Sequence, residues 1–274
     1  MVEGVSNLSV GCTLGLFRSN IIAYADDLVV LSPSFTGLQL LLDRCFEFST
    51  FLKLTFNVNK CVCVKFHQGL KNSVVKRVAK IGTGSLKFVS EVKYLGFNLT
   101  FNLSNSSDII KERNKFYNNF NSIIRKFNNL NTDLLFVLFK SYCSQIYGAE
   151  FWSGTYRCIT AFKQFGVGYH KAIKKILRVP YSESNHLVCE VAGLLTFDNY
   201  VNLLKIKFCH KIFNSPPRVV SKNLSYLYLR SHILNNATKI LLKCYDVPDI
   251  LNNDLDALTS RVFFVNNEYN DYLF

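Results

Sequence analysis

Residues 21–31 read Ile-Ile-Ala-Tyr-Ala-Asp-Asp-Leu-Val-Val-Leu and set two adjacent carboxylates between two short apolar runs. Each run is long enough for a β-strand and too short for a buried helix. Aspartate tolerates turn geometry, so the stretch predicts a tight hairpin with Asp26 and Asp27 at its tip. A carboxylate pair held by two strands suits a hard divalent cation, which takes oxygen ligands. An arbitrary Asp-Asp pair would be a solvated turn; the tyrosine, the small alanines and the apolar flanks argue against that here.

Around this hairpin the chain alternates strands and one helix. Val10 to Phe17 and Ile21 to Ala25 read as two strands. Ser34 or Thr36 can cap a helix whose Leu38, Leu41, Leu42, Cys45, Phe48 and Leu52 recur at helical spacing, so that one face packs on a sheet. Phe56-Asn57, two further residues and Lys60 lead into a strand over Val62 to Phe66. Lys71 to Gly84 carries a basic face and a turn at Gly82-Thr83-Gly84, and Leu86–Val89 with Val92–Thr100 reads as a further hairpin-like pair. Within it lies Tyr94-Leu95-Gly96-Phe97, where the missing Cβ of Gly96 would let a strand approach closely.

Past the polar segment 102–107 the apolar period changes from two to about 3.6. Ser107 is expected to cap a helix with Ile109, Phe116, Phe120, Ile123 and Phe127 as its stripe, leaving Lys111, Arg113, Lys115, Arg125 and Lys126 off it. Thr132 is expected to cap a second helix, Leu134 to Tyr147, ending at Gly148. A third, from about Tyr156 to Leu177, carries Lys163, Lys171, Lys174, Lys175 and Arg178 and stops at Pro180. Trp152, large and apolar, is assigned to packing. Each lysine off a stripe is as readily a solvated surface residue as a phosphate contact.

Tyr24-Ala25-Asp26-Asp27, then Lys60 after Phe56-Asn57, then Tyr94-Leu95-Gly96, follow one another in an order that resembles the reverse transcriptases of non-LTR (LINE-type) retrotransposons. The likeness extends loosely through Tyr147-Gly148-Ala149-Glu150-Phe151-Trp152 to Gly193. It implies an α+β fold: a partial polymerase palm of antiparallel strands with a backing helix over 1–101, an all-helical thumb over 102–180 and a C-terminal helical extension over 181–274. It implies Asp26 and Asp27 as Mg²⁺ ligands, Lys60 near the phosphates of an incoming deoxynucleotide, and Tyr94, Leu95, Gly96 and Phe97 as a primer grip. Lys111, Arg113, Lys115, Arg125 and Lys126 would then lie along an RNA template and DNA primer or product duplex. Such polymerases use two metal ions ~4 Å apart and take one ligand for both from an aspartate upstream of the hairpin. Before Asp26 the only acidic residue here is Glu3. The metal site is therefore expected to be incomplete in this chain, and the chain to be a fragment inactive on its own.

Lys and Arg number 32 against 19 Asp and Glu, a formal charge of +13, which points to a polyanion. A non-catalytic basic nucleic-acid-binding module, and an inert pseudogene product, stay open as alternatives. The nine cysteines are odd in number and lack zinc-site spacing, as in a reducing intracellular compartment, nuclear or cytoplasmic. No stretch is apolar enough to span a bilayer and no signal-peptide pattern opens the chain.

Overall fold

The computed structural model describes residues 10–14, 17–66, 77–152 and 158–213; Glu3, Lys71, Lys76, Tyr156 and the stretch from residue 214 onward lie outside them. The protein is mixed α/β and divides after Leu103 into two compact units.

The first unit is built from hairpins and one helix. β1 (Cys12–Leu14) pairs antiparallel with β2 (Phe17–Ser19), and β3 (Ile21–Tyr24) with β4 (Asp27–Val30). The single strand expected over Val10 to Phe17 is thus two strands, and β3 takes β4 as its partner. Helix α1 (Phe35–Phe51) follows, capped by Ser34, whose hydroxyl accepts from Gly37 N–H at 3.1 Å. Leu41, Leu42 and Cys45 are buried as the spacing demands, whereas Leu52 is 46% exposed because the helix ends one residue before it.

β5 (Val62–Val64), β6 (Ala79–Ile81) and β7 (Gly84–Val89) make a three-stranded sheet in the order β5-β7-β6. β5 runs parallel to β7, a departure from the all-antiparallel expectation. Parallel pairing needs a long crossover rather than a tight turn, and local periodicity does not report it. The side-chain amide of Gln39 on α1 exchanges two hydrogen bonds with the backbone of Lys80, at 2.9 and 3.0 Å, and so ties the helix to edge strand β6. Leu42, Cys63, Ala79, Ile81 and Leu86 form the core between them. β8 (Glu91–Tyr94) and β9 (Phe97–Thr100) are a separate antiparallel hairpin. Leu86–Val89 therefore belongs to the three-stranded sheet, and Val92–Thr100 folds back on itself at Leu95-Gly96.

The second unit is helical over its described residues. α2 (Ser106–Phe127), α3 (Thr132–Tyr142), α4 (Ile159–Leu177), α5 (Asn185–Val191) and α6 (Phe197–Phe213) share one core. Phe116, Phe139, Phe165, Tyr169 and Phe197 stack edge and face at centroid separations of 4.8–6.2 Å. Trp152, 1% exposed, joins them. Val188, Phe197 and Val201 belong to the same core, so no break in packing marks residue 181.

Helix ends differ from the sequence expectation by local capping. Asn131, not Thr132, caps α3, its side-chain oxygen accepting from Leu134 N–H at 2.9 Å. α3 stops at Tyr142, well before Gly148, which sits in a left-handed conformation ahead of a short 3₁₀ turn at Ala149–Phe151. α2 begins one residue before Ser107, and Phe127 at its far end is 41% exposed. α4 ends on Arg178 in the left-handed region (φ 57°), before Pro180 is reached.

Candidate functional site

The β3–β4 hairpin is fixed at its base and open at its tip. Ile21 packs with Leu41 and Cys45 of α1, and Leu28 and Val30 lie against the same cluster. Leu31 N–H donates to the Asn20 carbonyl at 2.8 Å and extends the ladder below β3 and β4. Asn20, 1% exposed, donates from its side chain to the Val10 carbonyl at 3.3 Å. Four cross-strand pairs then run up from Ile21↔Val30 to Tyr24↔Asp27.

The turn itself is Ala25-Asp26, so Asp26 occupies the tip and Asp27 is the first residue of β4. The expectation that both sit in the tip is corrected by one residue. Ala25 carries the bend, with φ at 52° in the left-handed region that disfavours a Cβ. Both aspartates are exposed, and Tyr24 beside them is 63% exposed. Two neighbouring carboxylates on a rigid ribbon fit a hard divalent cation through oxygen, and Mg²⁺ completes its octahedron with waters and phosphate oxygens. Among the described residues no group of three or more His, Cys, Asp or Glu could hold a metal ion.

Lys60 stands on a different element. It closes a 3₁₀ turn, Val58–Lys60, with its N–H donating to the Asn57 carbonyl at 3.0 Å, and it is exposed just before β5. The turn is seated because Val58 lies on Gly84 at the start of β7; a Cβ at 84 would come within 2.6 Å of the valine. Tyr94, Leu95, Gly96 and Phe97 form the tip of β8–β9, with Tyr94 paired to Phe97. Both central residues are left-handed, Leu95 at 46° and Gly96 at 88°, the pattern of a type I′ turn. Tyr94 and Phe97 are half-buried, and the Tyr94 hydroxyl is buried without a hydrogen-bond partner among the described residues. The structure thus puts Asp26 and Asp27 in one turn, and Lys60 and the Tyr94–Phe97 tip on two other elements of the same unit.

The basic residues of the helical unit divide. Arg113 is half-buried and donates to the Gln164 side chain of α4. Lys115 lies 3.7 Å from Glu112. Lys111, Arg125 and Lys126 are exposed. Sequence reading passed over Glu112, which is 5% exposed and accepts from Tyr147 N–H at 3.3 Å. Its position three after Ile109 and four before Phe116, inside the apolar stripe, was the available signal. Lys174, expected as a surface cation, is buried and donates to the Tyr181 carbonyl at 3.1 Å. His186 lies 3.9 Å from Glu190, one turn along α5. No helix among the described residues is long and apolar enough to cross a membrane.

Residues 5–99 match the family described as reverse transcriptase (RNA-dependent DNA polymerase). Over 97 residues the chain is 36% identical to a Retrovirus-related Pol polyprotein from type-2 retrotransposable element R2DM of Drosophila melanogaster. That similarity takes in 33% of this chain and 9% of the fly protein, so the chain spans a small part of the relative it matches.

Proposed function

We infer that this chain, whose residues 5–99 are a reverse transcriptase segment of the non-LTR retrotransposon type, contributes part of the active site of an RNA-directed DNA polymerase. The observation that carries the reading is the hairpin tip, which presents Asp26 and Asp27 to solvent on strands anchored by α1. In this reading residues 1–101 are a partial palm and 102–180 a thumb, whose core continues into the helices after residue 181 as far as Phe213; the rest of the extension to residue 274 lies outside the described residues. Asp26 and Asp27 would hold Mg²⁺, which supplies Lewis-acid activation of the primer hydroxyl and charge stabilisation at the leaving pyrophosphate. Lys60, exposed ahead of β5, sets an ammonium toward the nucleotide phosphates. The Tyr94–Phe97 turn supports the primer strand, with the left-handed backbone at Leu95 and Gly96 and the exposed Leu95 side chain at its tip.

Among the described residues no third carboxylate joins Asp26 and Asp27, and the chain is expected not to extend a primer unaided. Primer extension on an RNA template with Mg²⁺ tests this. No extension by the chain alone, together with binding of an RNA–DNA hybrid that weakens steeply with salt, is the expected pair of results. Extension by the chain alone, lost on Asp26→Ala, would show that its own residues complete the site. Salt-insensitive or absent hybrid binding would remove the polymerase reading.

A further inference from the structure

We propose that the helical unit pairs with a second copy of this chain through the outer face of α3, the two α3 helices lying antiparallel about a two-fold axis between Phe136 and Val137. Asp133 of each copy then meets Lys140 of the other. This pairing is independent of the polymerase reading and adds a second chain to it.

α3 buries Leu135, Phe136 and Phe139 in the aromatic core. The row at the edge of that core is Asp133, Phe136, Val137 and Lys140, spaced i, i+3, i+4 and i+7, which a helix brings onto one side. The row lines a groove of about 380 Å³, whose other walls include Leu177 at the end of α4 and Val191 at the end of α5. Val137 is 58% exposed and Val191 68% exposed. A single exposed valine is ordinary on a protein surface. Two of them in one groove, with Phe136 and Leu177, make an apolar strip that gains by leaving water.

The charges at the two ends of the row say what covers it. Asp133 and Lys140 are both exposed, and neither forms an ion pair among the described residues. Seven residues set them roughly 10 Å apart along the helix, too far to pair with each other. Their midpoint falls between Phe136 and Val137. A second α3 turned end over end about that point brings its lysine to the first copy's aspartate, its aspartate to the first copy's lysine, and its Val137 to Val137. Such reciprocity is what a two-fold interface requires of every contact. The result is an apolar centre with an ion pair at each end, the usual layout of a core and a polar rim.

Asp133 in the first turn and Lys140 in the last also answer the dipole of α3. The dipole accounts for the two charges but not for the exposed valines beside them. It also supplies the means of separation, because exchanging the two residues opposes the dipole at both ends while keeping the pairs between copies.

Sedimentation of the full chain, freed of nucleic acid, is followed over a concentration series. The wild type is expected to rise from the mass of one chain, 31.4 kDa, to that of two. Asp133→Lys alone and Lys140→Asp alone each bring like charges together at both ends of the pair and should weaken association by at least about tenfold. D133K/K140D restores opposite charges and should return to within about threefold of the wild type. A role in the helix dipole alone would instead make the double variant the worst of the three. Val137→Glu, at an exposed position, sets two carboxylates at the axis and should also give monomer, with Trp152 fluorescence confirming that the helical core is intact. Wild-type chain that stays monomeric at every concentration overturns the proposal and leaves the groove to a different partner. A dimer indifferent to both single charge changes and to Val137→Glu lies elsewhere on the molecule and overturns it too. A folded double variant as weak as the single ones overturns the antiparallel pairing.

Discussion

Up to Leu103 the buried side chains fall into small separate clusters under hairpins whose turns stand in solvent; from Ser104 on, one aromatic core runs through five helices. The first arrangement puts its strained backbone and its carboxylates outward, at Ala25-Asp26-Asp27 and at Leu95-Gly96. The second turns titratable groups inward, with His170, Lys174, Lys205, Asp108 and Glu112 all buried. A two-stranded ribbon has little interior of its own, so its side chains are free to carry chemistry. A five-helix core has interior to spare, and its polar groups act as fasteners. The family match at residues 5–99 coincides with the first arrangement. If the contrast is real, substitutions in the helical core should cost global stability, and substitutions at the turns should act locally.

The largest effect is expected from Phe165→Ala. Phe165 is fully buried and touches the rings of Phe116, Trp152 and Phe197. Removing a ring from such a site costs about 3–5 kcal/mol. Trp152 is the chain's single tryptophan and lies in the same core, so its fluorescence reports the helical unit selectively. The midpoint of denaturant unfolding followed at Trp152 should fall sharply; a loss under about 1 kcal/mol would mean the core can collapse around the gap.

Next comes acid. His170 is buried, its Nε2 accepts from Phe197 N–H at 3.3 Å, and burial, helped by the charge of Lys174, lowers its pKa from 6.5 to about 4. The unfolded chain binds that proton more readily than the folded one. The stability is fully present above about pH 6.5 and is lost as the pH falls through about 4, by up to about 3 kcal/mol. His170→Gln keeps an acceptor for Phe197 N–H and cannot titrate, so its Trp152-detected stability should vary less across that window. An unchanged pH profile would assign the acid sensitivity to other groups.

What could be read from sequence follows the same division. The α1 face, its cap at Ser34 or Thr36 and the turn at Asp26 were legible because each is decided within a few residues by periodicity and turn chemistry, whereas Val92–Thr100 read as one strand and its turn at Leu95-Gly96 did not show. Asn131 caps α3 in place of Thr132 because both residue types can cap and only the backbone tells which is half inside the helix. Leu52 and Phe127 fit their stripes in spacing but fall at or near helix ends. The β5–β7 pairing, the Gln39–Lys80 tie and the Arg113–Gln164 contact join residues far apart in sequence, and no local pattern encodes them. The candidate site was accordingly legible at the Asp26 turn, and the turn at Leu95-Gly96 and the packing of α2 on α4 were not.

At the turns the expected effects are smaller and local. Gly96→Val places a β-branched side chain at φ 88°, where an L-residue costs about 1–2 kcal/mol or more. Amide exchange across β8–β9 should accelerate while the Trp152-detected midpoint stays put. A matching fall at Trp152 would show that this hairpin is coupled to the helical core, which would break the comparison.

The smallest effect is the most informative about Asp26. Ala25 at φ 52° carries strain that glycine would not, and that strain exceeds the entropy glycine adds to the unfolded chain. Ala25→Gly should therefore stabilise the β3–β4 hairpin by about 0.5 kcal/mol, read as slower amide exchange in β3 and β4. Asp26, unlike Gly96 at the same place in the other turn, is not left-handed, so the turn accepts a carboxylate at its second position without a glycine. If Ala25 is what sets the direction of the Asp26 side chain, the relaxed glycine turn should bind Mn²⁺, a paramagnetic stand-in for Mg²⁺, more weakly than wild type despite being more stable. Equal Mn²⁺ broadening of the Asp26 and Asp27 resonances in both proteins would show instead that the paired strands, not the strained alanine, orient the carboxylates.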